Sequence, residues 1–159
     1  MKVLFLCNKD AYLTKMSRVR FHSVEAISEI CDVKWSGKNW ESYNSELTVQ
    51  ENINTLYKDE EKPDIVMAYK PLELKDFSKI KQTKCIRYNE MYNVEWTKKE
   101  IDESAADIVI CHHLNDMKQY DEDLYKDSNI KFINIPHSAR QTIFKDYEIK
   151  KQKDLHTKV

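Results

Sequence analysis

Side chains that could bind a ligand or transfer a proton follow directly after five short apolar runs of the sequence. One such segment would mean little, because connecting loops are polar in most soluble proteins. Five of them, each with a histidine, an aromatic residue or an acid, predict one common site if the apolar runs are neighbouring strands whose ends meet at one edge of a sheet. The segments are Asn8–Tyr12, Tyr69–Pro71, Arg87–Tyr92, His112–His113 and Pro136–Ser138.

Glu90 has the clearest catalytic potential among these residues. It lies between Tyr88 and Tyr92, and partial removal of a carboxylate from water raises its pKa and suits it to act as a general base. The alternative is a solvated loop acid. On the residues alone, this second interpretation is favoured.

The histidines and the first arginines each have two interpretations. His112 and His113 could bind phosphate or act as a base, but consecutive residues of an extended segment point in opposite directions, so at most one of them faces a site. The other would cap a helix or lie in the core. Arg18 and Arg20, with His22, begin a helix and could hold an anion there, or they could form a basic solvated surface.

The three tryptophans and Lys70 also remain ambiguous. Indole rings can stack on sugars, but packing in the core is their more usual role. Lys70 is followed by Pro71, and the simplest interpretation is an exposed loop residue.

Apolar strands alternate with amphipathic helices along the whole chain, which predicts one α/β domain with a parallel sheet of about six strands and helices on both faces. Thr48 with Glu51, and Thr97 with Glu100, have the spacing of capping boxes, and Asn115 could cap a further helix. The predicted strands are Lys2–Cys7, Asp32–Trp35, Asp64–Ala68, Lys84–Tyr88, Asp107–Cys111 and Ile130–Ile135. The predicted helices are Ser17–Ile30, Thr48–Lys58, a short one within Leu72–Lys79, Thr97–Ser104 and one that follows Asn115. We expect Val3–Leu6, Ile65–Met67 and Ile108–Ile110 at the centre of the sheet, because they are continuously apolar.

Composition excludes several classes of function. The formal net charge is -1, so no basic excess favours nucleic acid. No apolar run approaches the roughly 20 residues of a membrane helix, and no secretory signal is evident, so a cytoplasmic protein with four buried thiols is expected. The single glycine, Gly37, excludes the dinucleotide fingerprint and the P-loop, which both need several glycines at fixed positions.

The beginning of the chain resembles that of a low-molecular-weight tyrosine phosphatase, but the chemistry is missing. In that family an arginine six residues after the cysteine clamps the phosphate. Six residues after Cys7 stands Leu13, which cannot stabilise phosphoryl oxygens. We reject this resemblance, and Cys7 is then expected to be a buried thiol.

A second resemblance covers nearly the whole chain. The stretch from Ile135 to Arg140, followed by Ile143–Tyr147, resembles the interdomain segment of glycosyltransferases with the two-domain GT-B architecture. Lys62–Val66 resembles the strand that opens the third unit of that family. Ala105–Cys111 resembles its alanine–aspartate strand, and Ser17–His22 the beginning of its first helix. Two departures are the missing glycine-rich first loop, here Asn8 to Lys15, and a second domain that this sequence does not contain.

The resemblance implies that residues 1–140 are a Rossmann-like N-terminal domain and that residues 141–159 are the linker and the start of the second domain. It implies transfer of a sugar from a nucleotide sugar, bound mainly by the second domain, to a glycan or other acceptor bound by this one. Glu90 takes the position of the catalytic base, and neither a metal ion nor a cofactor is implied. The expected substrate-binding residues are Asn8, Lys9, Tyr12, Arg18, Arg20, Tyr69, Lys70, Tyr88, Tyr92, His112, His113, His137 and Ser138. The alternative is a stand-alone Rossmann-like binding module without catalysis.

Overall fold

The structure, a computed structural model, describes residues 1–13, 22–88, 91 and 93–136. Its centre is one six-stranded sheet in the order β2-β1-β3-β4-β5-β6, and every neighbouring pair is parallel. The strands are β1 (Lys2–Leu6), β2 (Asp32–Ser36), β3 (Ile65–Ala68), β4 (Thr83–Tyr88), β5 (Ile108–Cys111) and β6 (Lys131–Asn134). The predicted parallel α/β architecture is therefore confirmed.

Three of the four interior strands are the predicted continuous apolar runs. β1, β3 and β5 all have a neighbour on each side, and most of their residues are buried, from Val3 in β1 to Ile110 in β5. Helices cover both faces of such a strand, so neither face can be polar. The edge strand β6 instead alternates between exposed and half-buried residues.

Helices lie on both faces of the sheet, as expected from the alternation. They are α1 (Lys9–Leu13), α2 (His22–Ile27), α3 (Val49–Leu56), α4 (Val94–Ser104) and α5 (Leu114–Lys118), which continues into a π-helical turn over Gln119–Leu124. α3, α4 and the π-helical turn contribute Ile53, Ile101 and Tyr120 to the core on one face. Val24 of α2, with Tyr12 of α1, packs on the other.

The helix ends confirm some predicted caps and correct others. Thr48 and Glu51 form the predicted capping box at α3. The predicted start at Thr97 is wrong: α4 is capped by Asn93, whose side chain accepts a hydrogen bond from the Trp96 amide. The cap at Asn115 is also wrong, since α5 begins at Leu114.

Two shorter segments also differ from the expected elements. In place of the short helix within Leu72–Lys79 there are two 3₁₀ turns, Pro71–Glu73 and Phe77–Lys79. The segment that follows β1, expected to be a loop, contains α1, and the Asn8 side chain accepts a hydrogen bond from the Asp10 amide at its start. Of the predicted helix Ser17–Ile30, the part before His22 lies outside the described residues.

The strand order contains a topological switch. From β1 the chain crosses to β2 on one side and then returns to β3 on the other. In doubly wound sheets of this order, the loops after the first and third strands diverge toward opposite faces and leave a crevice at their carboxyl ends. The fold therefore places a potential binding site after β1 and β3.

Candidate binding site

A cleft of about 720 Å³ lies at the carboxyl ends of β1 and β3. This volume falls within the roughly 300–1,000 Å³ of small-molecule sites. Its walls come from the loops that follow the first three strands. They contribute three aromatic rings, two amides and four charged groups: Trp40, Tyr43, Tyr69, Asn8, Asn39, Lys38, Lys70, Glu73 and Lys75.

Gly37 lets one wall of the cleft lie directly against the end of β1. Its φ is 121°, and a Cβ atom there would lie 2.5 Å from the carbonyl oxygen of Cys7. The indole Nε1 of Trp40 donates to that same oxygen at 3.1 Å, and the Lys9 amide donates to the Lys38 carbonyl at 3.0 Å. These two hydrogen bonds attach the loop after β2 to the end of β1, and they fix Lys38, Asn39 and Trp40 at the cleft.

Aromatic packing supports Trp40 from behind. Its ring lies 6.4 Å from that of Trp35 and 6.0 Å from that of Tyr12. The Tyr12 hydroxyl donates to Glu25 at 2.9 Å, which ties α1 to α2. Tyr12, a predicted substrate residue, therefore supports the cleft wall rather than lining it.

Asn52 and Lys75 hold the segment that carries Tyr43 and Ser45. The Asn52 side chain accepts from the Asn44 amide at 2.8 Å and donates to the Asn44 carbonyl at 2.9 Å. The Lys75 ammonium donates to the Glu46 carbonyl at 2.6 Å. Partial burial raises the pKa of Tyr43, so its hydroxyl keeps its proton.

Of the predicted substrate residues, the structure places Asn8, Tyr69 and Lys70 in the cleft. Lys70 donates to the Glu73 carboxylate at 2.7 Å, and this bond raises the pKa of Lys70. Lys9 lies just outside, with its ammonium 5.7 Å from the Trp40 ring and 3.9 Å from the Glu41 carboxylate.

Tyr88 at the end of β4, and His112 and His113 after β5, do not line the cleft. Tyr88 is buried, and its hydroxyl donates to the Glu100 carboxylate at 2.5 Å. Burial, reinforced by this bond, raises the pKa of Tyr88, and burial also raises that of Glu100. His112 is buried with its Nδ1 at 2.5 Å from the Ile135 carbonyl oxygen, and the exposed His113 stands at the cap of α5.

Sequence reasoning missed most of the cleft wall after β2 and part of the wall after β3. Lys38, Asn39, Tyr43, Ser45, Glu73 and Lys75 were not predicted as site residues, and Trp40 was left open between stacking on a sugar and packing in the core. The available signal was Gly37: an isolated glycine after a strand indicates close backbone approach. Six predicted residues lie outside the described part of the chain: Arg18, Arg20, Glu90, Tyr92, His137 and Ser138.

Comparisons of the chain with protein-family models, curated proteins and solved structures gave no match. Within residues 1–13, 22–88, 91 and 93–136, no group of three or more histidine, cysteine or acidic residues is arranged to hold a metal ion. None of the helices in these same ranges has both the length and the apolarity to cross a membrane. The chemistry of the cleft therefore has to be inferred from its own side chains.

Proposed function

We propose that this domain is the acceptor-binding half of a glycosyltransferase that moves a sugar from a nucleotide sugar to an acceptor, and that the cleft holds the acceptor. The observation that carries the proposal is the combination of aromatic and amide side chains in a cleft at the topological switch. The resemblance of the sequence to GT-B glycosyltransferases agrees with it.

The lining of the cleft matches the surface of a sugar. A pyranose has C–H faces that pack against aromatic rings, and hydroxyls around its edge that need both donors and acceptors. Trp40 and Tyr43 supply the aromatic surface. The Asn8 and Asn39 amides each make one bond to Asp10 and still have donors and acceptors left. The Trp40 ring is already fixed by its bond to the Cys7 carbonyl, so little side-chain entropy is lost on stacking.

In this proposal Glu90 is the catalytic base that removes the proton of the acceptor hydroxyl. Glu90 lies outside the described residues, but β4, which precedes it, runs beside β3. Ile86 of β4 is the register partner of Ala68, the last residue of β3, and the cleft residues Tyr69 and Lys70 follow Ala68 directly. The donor is expected to bind mainly through the second domain that the resemblance implies.

Sugar binding to this chain tests the proposal. We expect methyl glycosides to change its tryptophan fluorescence and to shift cleft resonances in NMR titrations, and we expect uridine and guanosine diphosphate sugars to bind poorly. Trp40→Ala should lower the affinity at least about fivefold, since truncating an aromatic anchor commonly costs more than about 1 kcal/mol. Trp40→Phe, which keeps a ring, should retain most of it.

Trp96→Ala is the matched control. Trp96 is half exposed on α4 and far in sequence from the cleft loops, so its loss should leave the affinity unchanged. Micromolar binding of a nucleotide sugar to this chain, or equal effects of Trp40→Ala and Trp96→Ala, would contradict the proposal.

A binding module without catalysis is the second candidate. It is favoured by the pairing of Glu73 with Lys70, because a carboxylate held by an ammonium is a weak base. The two functions differ in the fate of the nucleotide sugar. Glycosyl transfer by a protein that carries this domain supports the enzyme, whereas acceptor binding with the nucleotide sugar left intact supports the module.

A further inference from the structure

The cleft carries more positive than negative charge, and from this we infer that its ligand bears an anionic group, a phosphate or a carboxylate, held by Lys38 and Lys75. The inference deepens the proposed function. It rests on that function because it takes the rest of the ligand to be a sugar. It names the acceptor as an acidic saccharide.

The charges of the lining do not balance. Three lysines face one carboxylate: Lys38, Lys70 and Lys75 against Glu73. Lys70 and Glu73 neutralise each other at 2.7 Å, which leaves two ammonium groups. The chain as a whole has a formal net charge of -1, so this excess is local to the cleft.

A neutral group holds Lys75 in place. Its ammonium donates to the backbone carbonyl of Glu46, a neutral acceptor that orients the group without cancelling its charge. The nearby Glu51 carboxylate accepts from Thr48 at 2.8 Å and 2.7 Å, and it attracts Lys75 without forming an ion pair with it in the described residues. Lys75 therefore has donors left for a ligand.

Lys38 reaches the cleft from a different segment. Its backbone carbonyl accepts from the Lys9 amide at 3.0 Å, so the base of the side chain is anchored while its exposed end can move. In the described part of the chain, no carboxylate forms an ion pair with Lys38 or with Lys75. An anion bound between the two would gain charge-assisted hydrogen bonds from both.

A neutral ligand does not account for this arrangement. Lys38 and Lys75 both line the cleft, and a neutral sugar would leave both ammonium groups without a counter-charge. An anion supplies that counter-charge in a concave site where water screens charge less than at an open surface. The aromatic wall beside the lysines then takes the sugar ring that carries the anionic group.

The test compares a neutral sugar with two acidic sugars and with an anion that has no sugar ring. Calorimetry on the full chain would measure glucose, glucuronate, glucose 6-phosphate and inorganic phosphate at low and at physiological salt. We expect the two acidic sugars to bind at least about tenfold more tightly than glucose at low salt, with an advantage that shrinks as salt screens the charges.

Variants assign the charge to the two lysines. Lys38→Gln with Lys75→Gln should abolish the advantage of the acidic sugars over glucose, measured as the ratio of the two affinities within the same variant. Lys99→Gln is the control, because Lys99 lies on α4 beside Trp96 and Glu103 and not at the cleft. Unchanged thermal unfolding of each variant confirms that it is folded.

Each remaining outcome separates the inference from the proposed function. Equal affinity for glucose and the acidic sugars overturns the anionic ligand and leaves the sugar site standing. Phosphate that binds through the two lysines, with no gain from an attached sugar, supports the anion site and overturns the sugar function. Failure of all four probes to bind overturns both.

Discussion

The two halves of the carboxyl edge of the sheet use similar residues in opposite ways. Around β1 and β3, polar and aromatic side chains such as Asn8 and Tyr69 line an open cleft. Tyr88 at the end of β4 and His112 after β5 turn inward and bind interior partners, the Glu100 carboxylate and the Ile135 carbonyl. The kind of residue at a strand end therefore does not decide whether it serves a site. Whether it serves a site is decided by the crossing of the chain between β1 and β3.

The largest effect is expected from the closed half, at Tyr120 in the π-helical turn. Its ring is fully buried against Tyr125 and Phe132, and its hydroxyl donates to the Met91 carbonyl at 3.2 Å. Tyr120→Ala should lower the free energy of unfolding by about 3–5 kcal/mol, the usual cost of deleting a buried aromatic ring. Urea unfolding followed by circular dichroism would measure it.

Tyr120→Phe is the control, because it removes only the hydroxyl, and it should cost about 1 kcal/mol. Both variants should bind sugar as the parent chain does under conditions where they are folded. A loss of sugar affinity in Tyr120→Phe would show that the two halves are coupled, which would contradict a site formed by the open half alone.

A smaller loss of stability, together with a loss of binding, is expected in the open half at Gly37. Gly37→Ala puts a Cβ atom against the Cys7 backbone and a side chain at a φ of 121°. Strain of this kind costs roughly 1–3 kcal/mol, and moving the loop away would displace Lys38 and Trp40. We expect this one change to lower the free energy of unfolding, measured by urea unfolding, and the affinity for sugar, measured by NMR titration.

Ser45→Ala serves as the comparison for Gly37→Ala. Ser45 also lines the cleft and is exposed, so its truncation should leave stability unchanged. If Gly37→Ala retained full affinity for sugar, the loop bonded to the end of β1 would not be what forms the cleft wall.

The smallest effect is a pH dependence in the closed half. Burial raises the pKa of Glu100 above its ordinary 4.5, although the bond from Tyr88 opposes this. The folded state thus favours the protonated acid. Its contribution to stability is fully present below about pH 4.5 and is lost as the pH rises through the folded pKa.

Glu100→Gln removes this titration and keeps an acceptor for Tyr88. The variant should therefore gain stability relative to the parent chain between pH 4 and pH 7, as measured by urea unfolding at both values. Glu103→Gln, at an exposed position of the same helix, should show no such gain. An equal change in both variants would contradict a special environment at Glu100.

The fold could be predicted where one sequence pattern has one structural meaning. Continuous apolar runs such as Val3–Leu6 identified interior strands, and the Thr48–Glu51 spacing identified the beginning of α3. The Thr97–Glu100 spacing was misleading, because both side chains are buried within α4. A local spacing cannot distinguish a helix end from a helix interior that packs on tyrosines.

The site could be predicted only in part, because strand order is not written in local patterns. Strand ends were identified, but nothing in their periodicity showed that β1 would lie between β2 and β3. Without that order, Tyr88 and Tyr69 were equally good candidates. Trp40 combines both of its possible roles, since it packs against Trp35 and also lines the cleft.

The hydrogen bonds that attach the Gly37–Trp40 loop to β1 have a consequence for how a ligand would arrive. A wall bonded to the Cys7 backbone and to Lys9 is held in place by the protein's own hydrogen bonds. Association then needs no ordering of that wall, and the rate of binding is governed by encounter and orientation rather than by a slow rearrangement. Differences in affinity between ligands would accordingly lie mainly in their dissociation rates.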